Sequence, residues 1–158
     1  MVSFDLAHAL LVPVLFRLVW WDQRSHRLPD ALTLTSLGLS AAALLFLAVY
    51  ADWGERAQSA GLAVAVCVLG LWLLSEAPGH PLGFGDVKLG ALLALHLGVY
   101  HWSVVALWWG GAFIVGGLHA TWLLWRGRLG PRDAVAFGPY LAGTWLAVLA
   151  GVGGAHGA

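Results

Sequence analysis

The sequence predicts an all-α, polytopic membrane helix bundle of about six transmembrane helices. Three observations predict it. Of the 158 residues, 60% are hydrophobic and only 10% charged, with a mean hydropathy of +0.81; soluble domains carry about 25% charged residues. The apolar residues come in long blocks near the ~20 residues that one bilayer crossing needs, rather than in amphipathic stripes. Trp20, Trp21, Tyr50, Trp53, Tyr100, Trp102 and Trp125 fall at the ends of those blocks, where an interfacial aromatic belt forms.

The candidate spans are residues 3–21, 31–50, 58–76, 86–100, 102–125 and 138–155. The first opens on "MVSFDLAHALL", which lacks a positive start and a small-residue cleavage site, so it reads as a retained span rather than a secretory signal. The fourth is short, and it meets the fifth at "GVYHWS" with almost no loop. Gly138 and Pro139 mark the start of the last span, because a Gly-Pro pair does not sit quietly inside a soluble helix, whereas proline suits the first helical turn. No linker, repeat or low-complexity segment divides the chain, so residues 1–158 are expected to form one domain.

Positive charge orients the bundle. Arg17, Arg24 and Arg27 flank the first connection, Lys88 the third, and Arg126, Arg128 and Arg132 the fifth. Arg56 alone lies in the second, beside Asp52 and Glu55. By the positive-inside rule the odd connections are cytoplasmic and both termini face outward. The acids then sort by side: Asp5, Asp52 and Glu55 outside; Asp22, Asp30, Glu76, Asp86 and Asp133 inside.

Composition also excludes several chemistries. A net charge of zero offers no nucleic-acid surface. The single cysteine, Cys67, can form neither an internal disulfide nor a cysteine-based zinc site, and reads as a small core or lipid-facing residue. The seven histidines show no HExxH spacing, and "GFGDVK" lacks the GK[ST] of a phosphate loop. No cofactor or metal is expected. His96 and His119 lie inside spans, where an interhelical hydrogen bond is the expected partner. "GGAFIVGG" and similar small-residue runs suit close helix packing.

Three stretches stand out on the inner side. The first connection reads "WDQRSHRLPDALTL", with Asp22 closing the first span and Pro29-Asp30 opening the second in a helix-start arrangement. The third reads "GFGDVKLG", and the last span opens on "AVAFGPYLAG". Together these resemble the type IV prepilin peptidases, membrane aspartic peptidases with a GxGD signature. The resemblance runs over nearly the whole chain and implies catalytic roles for Asp22, ahead of Leu28-Pro29-Asp30-Ala31-Leu32-Thr33, and for Asp86, within Gly83-Phe84-Gly85-Asp86-Val87-Lys88. It implies a Phe137-Gly138-Pro139-Tyr140 turn at the start of the final span. Its substrates are expected to be pilin-like precursors, with a basic leader, a cut after glycine and a hydrophobic helix lying in the bilayer. Many members carry an N-terminal segment with paired cysteines, linked to zinc and to N-methylation. This sequence resembles the short members that lack it, so the expectation is peptidase activity without methyl transfer.

The chemistry fits such residues. Two neighbouring carboxylates cannot both ionise cheaply and hold one proton between them. The ionised partner takes a proton from water while the protonated one polarises the scissile carbonyl. Gly83 and Gly85 are expected to allow a tight bend and close approach of a substrate strand. The start of the fourth helix directs backbone N–H groups toward Asp86. Lys88 either supports a carboxylate or substrate carbonyl or snorkels to the interface. Asp30 reads as a cap, Asp133 as another cap or a loop charge, and Glu76 as a solvated helix end. The alternatives are another GxGD intramembrane protease, similar to presenilin or signal peptide peptidase; a small proton-coupled transporter using Asp22, Asp86 and Lys88 as a relay; and an inactive assembly subunit. Presenilin-like proteases show a Pro-Ala-Leu motif near the C-terminus, where this chain has Phe-Gly-Pro-Tyr. Transporters place such acids near the midplane.

Overall fold

The computed structural model describes residues 2–25, 30–77, 82–128 and 135–155. The described residues form six helices: α1 (Val2–Ser25), α2 (Asp30–Tyr50), α3 (Gly54–Ser75), α4 (Phe84–Gly98), α5 (Trp102–Trp125) and α6 (Gly138–Ala155). The described residues contain no strand. The six expected spans correspond one to one with these helices. The short fourth helix ends at Gly98, and only three residues separate it from α5.

α2, α3 and α5 are each long and apolar enough to cross a bilayer, over Ala31–Tyr50, Gly54–Ser75 and Trp102–Trp125. Shorter apolar stretches run over Leu11–Trp21 in α1 and Gly138–Val152 in α6. The outer surface is hydrocarbon: Phe16, Leu39, Leu107, Ile114 and Leu118 are each more than 60% exposed. In water such a surface drives association, whereas in lipid it is already solvated. The chain is a membrane protein.

α4 is the centre. Every residue from Leu89 to Val99 is buried, and its neighbours screen it from lipid on all sides. Its 15 residues span only about 22 Å, short of the ~30 Å hydrocarbon core. That length is tolerable because protein rather than lipid surrounds it.

The packing fixes which helix ends lie together. α3 and α4 run antiparallel in close contact. A Cβ added to Gly98 would stand 2.6 Å from the Ala60 Cα and 2.8 Å from the Ala63 Cβ, and one on Gly90 would meet Leu71 and the Cys67 sulfur. Small residues at these crossings let the backbones approach, as expected for membrane helices. Cys67 is buried in that seam. α2 reaches α3 through the short link at residues 51–53, with Asp52 in the left-handed region (φ 57°), and so runs parallel to α4. α6 lies parallel to α4 and antiparallel to α5, with Trp108 Nε1 of α5 donating to the Leu141 carbonyl at 2.8 Å. His8 of α1 packs on His96 and Tyr100 at the far end of α4, with ring centroids 5.0 and 5.8 Å away. The starts of α2, α4 and α6 therefore share one end of the bundle with the finishes of α1, α3 and α5.

Candidate active site

Asp86 lies at that end, in the first turn of α4. Gly83 is the N-cap, extended at φ −78° and ψ 147°, and the Asp86 N–H donates to the Gly83 carbonyl at 3.0 Å. Asp86 thus occupies the third helical position, where a carboxylate faces the unpaired N–H groups and positive pole of the helix. It is 7% exposed. Burial this deep is rare for an acid and requires partners. Its side chain turns back toward the cap: a Cβ on Gly83 would stand 3.7 Å from Asp86 Oδ2.

Gly83 corrects one expectation. Its φ is open to any residue, so a tight bend is not what glycine supplies there; the missing side chain leaves space beside the carboxylate. Gly85 lies half-buried within the first turn. Lys88 is half-buried one turn deeper, with Nζ 5.0 Å from the Phe84 ring centroid. Such a cation–π contact contributes about 0.5–1 kcal/mol.

Asp22 belongs to the last turn of α1 and Asp30 opens α2. The helices carry both to the end that holds Asp86, but their side chains lie outside the described residues, as does Pro29 entirely. Asp133 is also outside them. Glu76 is exposed at the close of α3, as a solvated helix end.

The Phe137–Tyr140 turn is built against α5. The Phe137 carbonyl accepts from the N–H of Tyr140 at 3.0 Å and of Leu141 at 3.2 Å, so Phe137 caps α6. Pro139 sits in the first turn, where its missing N–H costs nothing. The Phe137 ring packs on Phe113, centroids 4.9 Å apart. Gly116 provides the room: a Cβ there would approach Phe137 Cε2 to 2.9 Å. Tyr140 is hydrogen-bonded through its hydroxyl to His119 Nδ1, the interhelical bond expected of that histidine. His96 finds its own partner across α2, with Nε2 2.9 Å from Ser40 Oγ. No cluster of metal-binding side chains occurs among the described residues.

Several buried polar side chains escaped the sequence reading. Thr33 is fully buried in the first turns of α2, and His8 and Ser75 are nearly so. A signal was present on α2, where Thr33 and Ser40 recur seven residues apart and hence on one face. On α1, His8 stands alone among apolar residues and gives no spacing to read.

The prepilin leader peptidase/N-methyltransferases of two Burkholderia pseudomallei strains, 1026b and K96243, are each 34% identical to this chain over 137 residues, covering 81% of it and 40% of the relative. The chain thus spans about two fifths of the length of the curated relatives it matches. No solved structure matches it. The family model of the type IV leader peptidases matches residues 9–121, a stretch that holds Asp22, Asp30 and Asp86 and ends before Phe137. That match covers most of the chain, which therefore belongs to the type IV leader peptidase family.

Proposed function

We propose that this chain is an aspartic endopeptidase of the cytoplasmic membrane that removes leaders from type IV pilin-like precursors at the inner face. The observation that carries the reading is Asp86: an acid only 7% exposed in the first turn of the central helix, within the stretch matched to the leader peptidases. Six crossings with both termini outward put this end of the bundle in the cytoplasm, consistent with seven of the eight lysines and arginines flanking the odd connections.

Asp22 and Asp86 form the pair. One carboxylate, ionised, takes a proton from a bound water as its oxygen attacks the scissile carbonyl carbon. The other, protonated, donates to the carbonyl oxygen, giving a neutral tetrahedral intermediate. Collapse of that intermediate breaks the C–N bond as the amine gains a proton. The unpaired N–H groups at the helix start face the Asp86 carboxylate, and the two carboxyl groups hold one proton between them. The open space at Gly83 admits the extended segment around the cut. The hydrophobic helix of the precursor stays in lipid beside the bundle. The N-methyl transfer named for the Burkholderia relatives is not part of this proposal.

The test is cleavage of a co-expressed pilin-like precursor in membranes by the Asp22→Asn and Asp86→Asn variants, with enzyme levels matched by immunoblot. Each variant is expected to leave the precursor intact, since an amide can neither accept the water proton nor share one. Normal processing by both variants ends the proposal.

A further inference from the structure

Far from Asp86, near the opposite end of the bundle, four helices meet at one buried polar cluster. His8 of α1 and His96 of α4 are 5% and 1% exposed, with their rings edge to face at 5.0 Å. Ser40 of α2 lies 2.9 Å from His96 Nε2. Trp145 of α6, fully buried, packs on both imidazoles, with centroids 6.0 Å from His8 and 6.3 Å from His96. Its indole N–H donates to the Leu93 carbonyl of α4 at 3.2 Å.

These four helices are also the ones that carry the signature stretches: Asp22 on α1, Asp30 on α2, Asp86 on α4 and the Phe137–Tyr140 turn on α6. Directional contacts fix helix rotation and axial register in a way that leucine packing against leucine does not. In a bilayer they matter more, since hydrocarbon supplies no hydrophobic force between helices.

From this we infer that His8, Ser40, His96 and Trp145 are positioning residues that set the register of α1 against α4, and thereby the approach of Asp22 to Asp86. The inference rests on the proposed aspartate pair. The lever is short. Asp22 lies fourteen residues from His8 and Asp86 ten residues from His96, or about 21 and 15 Å along their helices. The two aspartates hence fall within about one helical turn of the same level. A rotation or slide at the cluster passes along α4 without a break, and along α1 through Pro13, to the carboxylates. Misplacement by about 1 Å costs an enzyme up to about a hundredfold in rate.

The experiment has two readouts. In a Cys67→Ala background, Asp22→Cys and Asp86→Cys are cross-linked in membranes with a short bifunctional maleimide, with Ser40→Ala or with His8→Leu/His96→Leu added. Separately, kcat and KM for precursor cleavage are measured on the same cluster variants with both aspartates intact. Ser40→Ala removes one oxygen and leaves the fold in place, so it remains informative if the double variant folds poorly. The expected result is efficient cross-linking with the cluster intact and a severalfold loss in the variants. Alongside it, kcat falls about tenfold or more at nearly constant KM, and Ser40→Thr restores both. A purely structural cluster lowers the amount of folded enzyme and leaves kcat per folded molecule unchanged; that result, or cross-linking unchanged in the variants, overturns the inference alone. Cross-linking absent even with the cluster intact removes the aspartate pair, and the inference with it.

Discussion

The α3–α4 seam makes a prediction whose sign can be worked from the structure. A methyl added at Gly98 finds the Ala60 Cα at 2.6 Å and the Ala63 Cβ at 2.8 Å, against about 3.5–4.0 Å for relaxed carbon–carbon contact. The nearest atom is backbone, so no rotamer change relieves the clash, and the helices must part locally by about 1 Å. Such overpacking costs about 1–3 kcal/mol. Replacing glycine in a helix returns up to about 1 kcal/mol. The net expectation for Gly98→Ala is a loss of about 1 kcal/mol. For Gly98→Val, with more bulk in the same gap and a poorer helix former, the loss rises to about 3 kcal/mol. Gly110 of α5 is the control: nothing stands within 4 Å of an added Cβ there, so Gly110→Ala keeps the propensity gain and stabilises by up to about 1 kcal/mol. The same chemical change thus takes opposite signs at two glycines. Reversible unfolding of the purified protein in mixed micelles, titrated with a denaturing detergent, measures all three. Equal stability of Gly98→Ala and Gly110→Ala would refute the close approach of α3 and α4 and the placement of α4 that depends on it.

Other consequences follow from single contacts. Trp145→Phe removes the N–H bonded to Leu93 while leaving that carbonyl its helical partner, and is expected to cost about 0.6–1 kcal/mol in the same unfolding assay. Gly116→Val drives a side chain into the Phe137 ring and shifts the start of α6; precursor cleavage is expected to fall while the α3–α4 seam, read by the protection of Cys67 from maleimide, stays intact. Cys67, 2% exposed in that seam, is expected to resist maleimide in native membranes and to react fully after denaturation. Labelling at equal rates in both states would show the seam open.

Much of this architecture is legible from residues 1–158 because a bilayer makes hydropathy almost sufficient. Blocks of about 20 apolar residues read as helices whatever their partners, and all six emerge. Their ends are less legible: α4 begins at Phe84 rather than Asp86, since a glycine cap and one aromatic residue leave no hydropathy step. Asp86 stands out because an acid at the edge of an apolar block is costly and therefore informative. His8 does not, because a lone polar side chain in a span reads the same whether it faces lipid headgroups, a neighbouring helix or a cavity, and the seven-residue spacing of Thr33 and Ser40 gives a shared face without saying what that face meets. Only the packing separates those cases. Gly83 shows the opposite failure. Its place in a glycine-rich motif suggests backbone freedom, whereas its extended φ needs none, and the sequence alone cannot distinguish room for a chain from freedom to bend.

The shortness of α4 connects the fold to the proposed chemistry. Gly98 is level with Ala60 of α3, and the two helices run in opposite directions. Twelve residues back along α4 lies Asp86, and twelve residues on from Ala60 along α3 lies Trp72. α3 continues past that level through Ser75, about 4–5 Å further. Asp86 therefore lies recessed behind the finish of its neighbour, which accounts for the burial of an acid at a helix start. On the proposed reading, a peptide reaching it leaves the bilayer edge and enters the end of the bundle in an extended form, narrower than a helix about 10 Å wide. On the proposed reading this explains a division of labour in the substrate: its hydrophobic helix stays outside in lipid, and only the few residues around the cut unwind and enter. Lengthening α4 at its start, by inserting one helical turn between Phe84 and Gly85, moves the recess outward without touching the central packing. Cleavage then fails while Cys67, buried in the α3–α4 seam, still resists maleimide. Retained cleavage in such a variant would show that the recess has no part in the reaction.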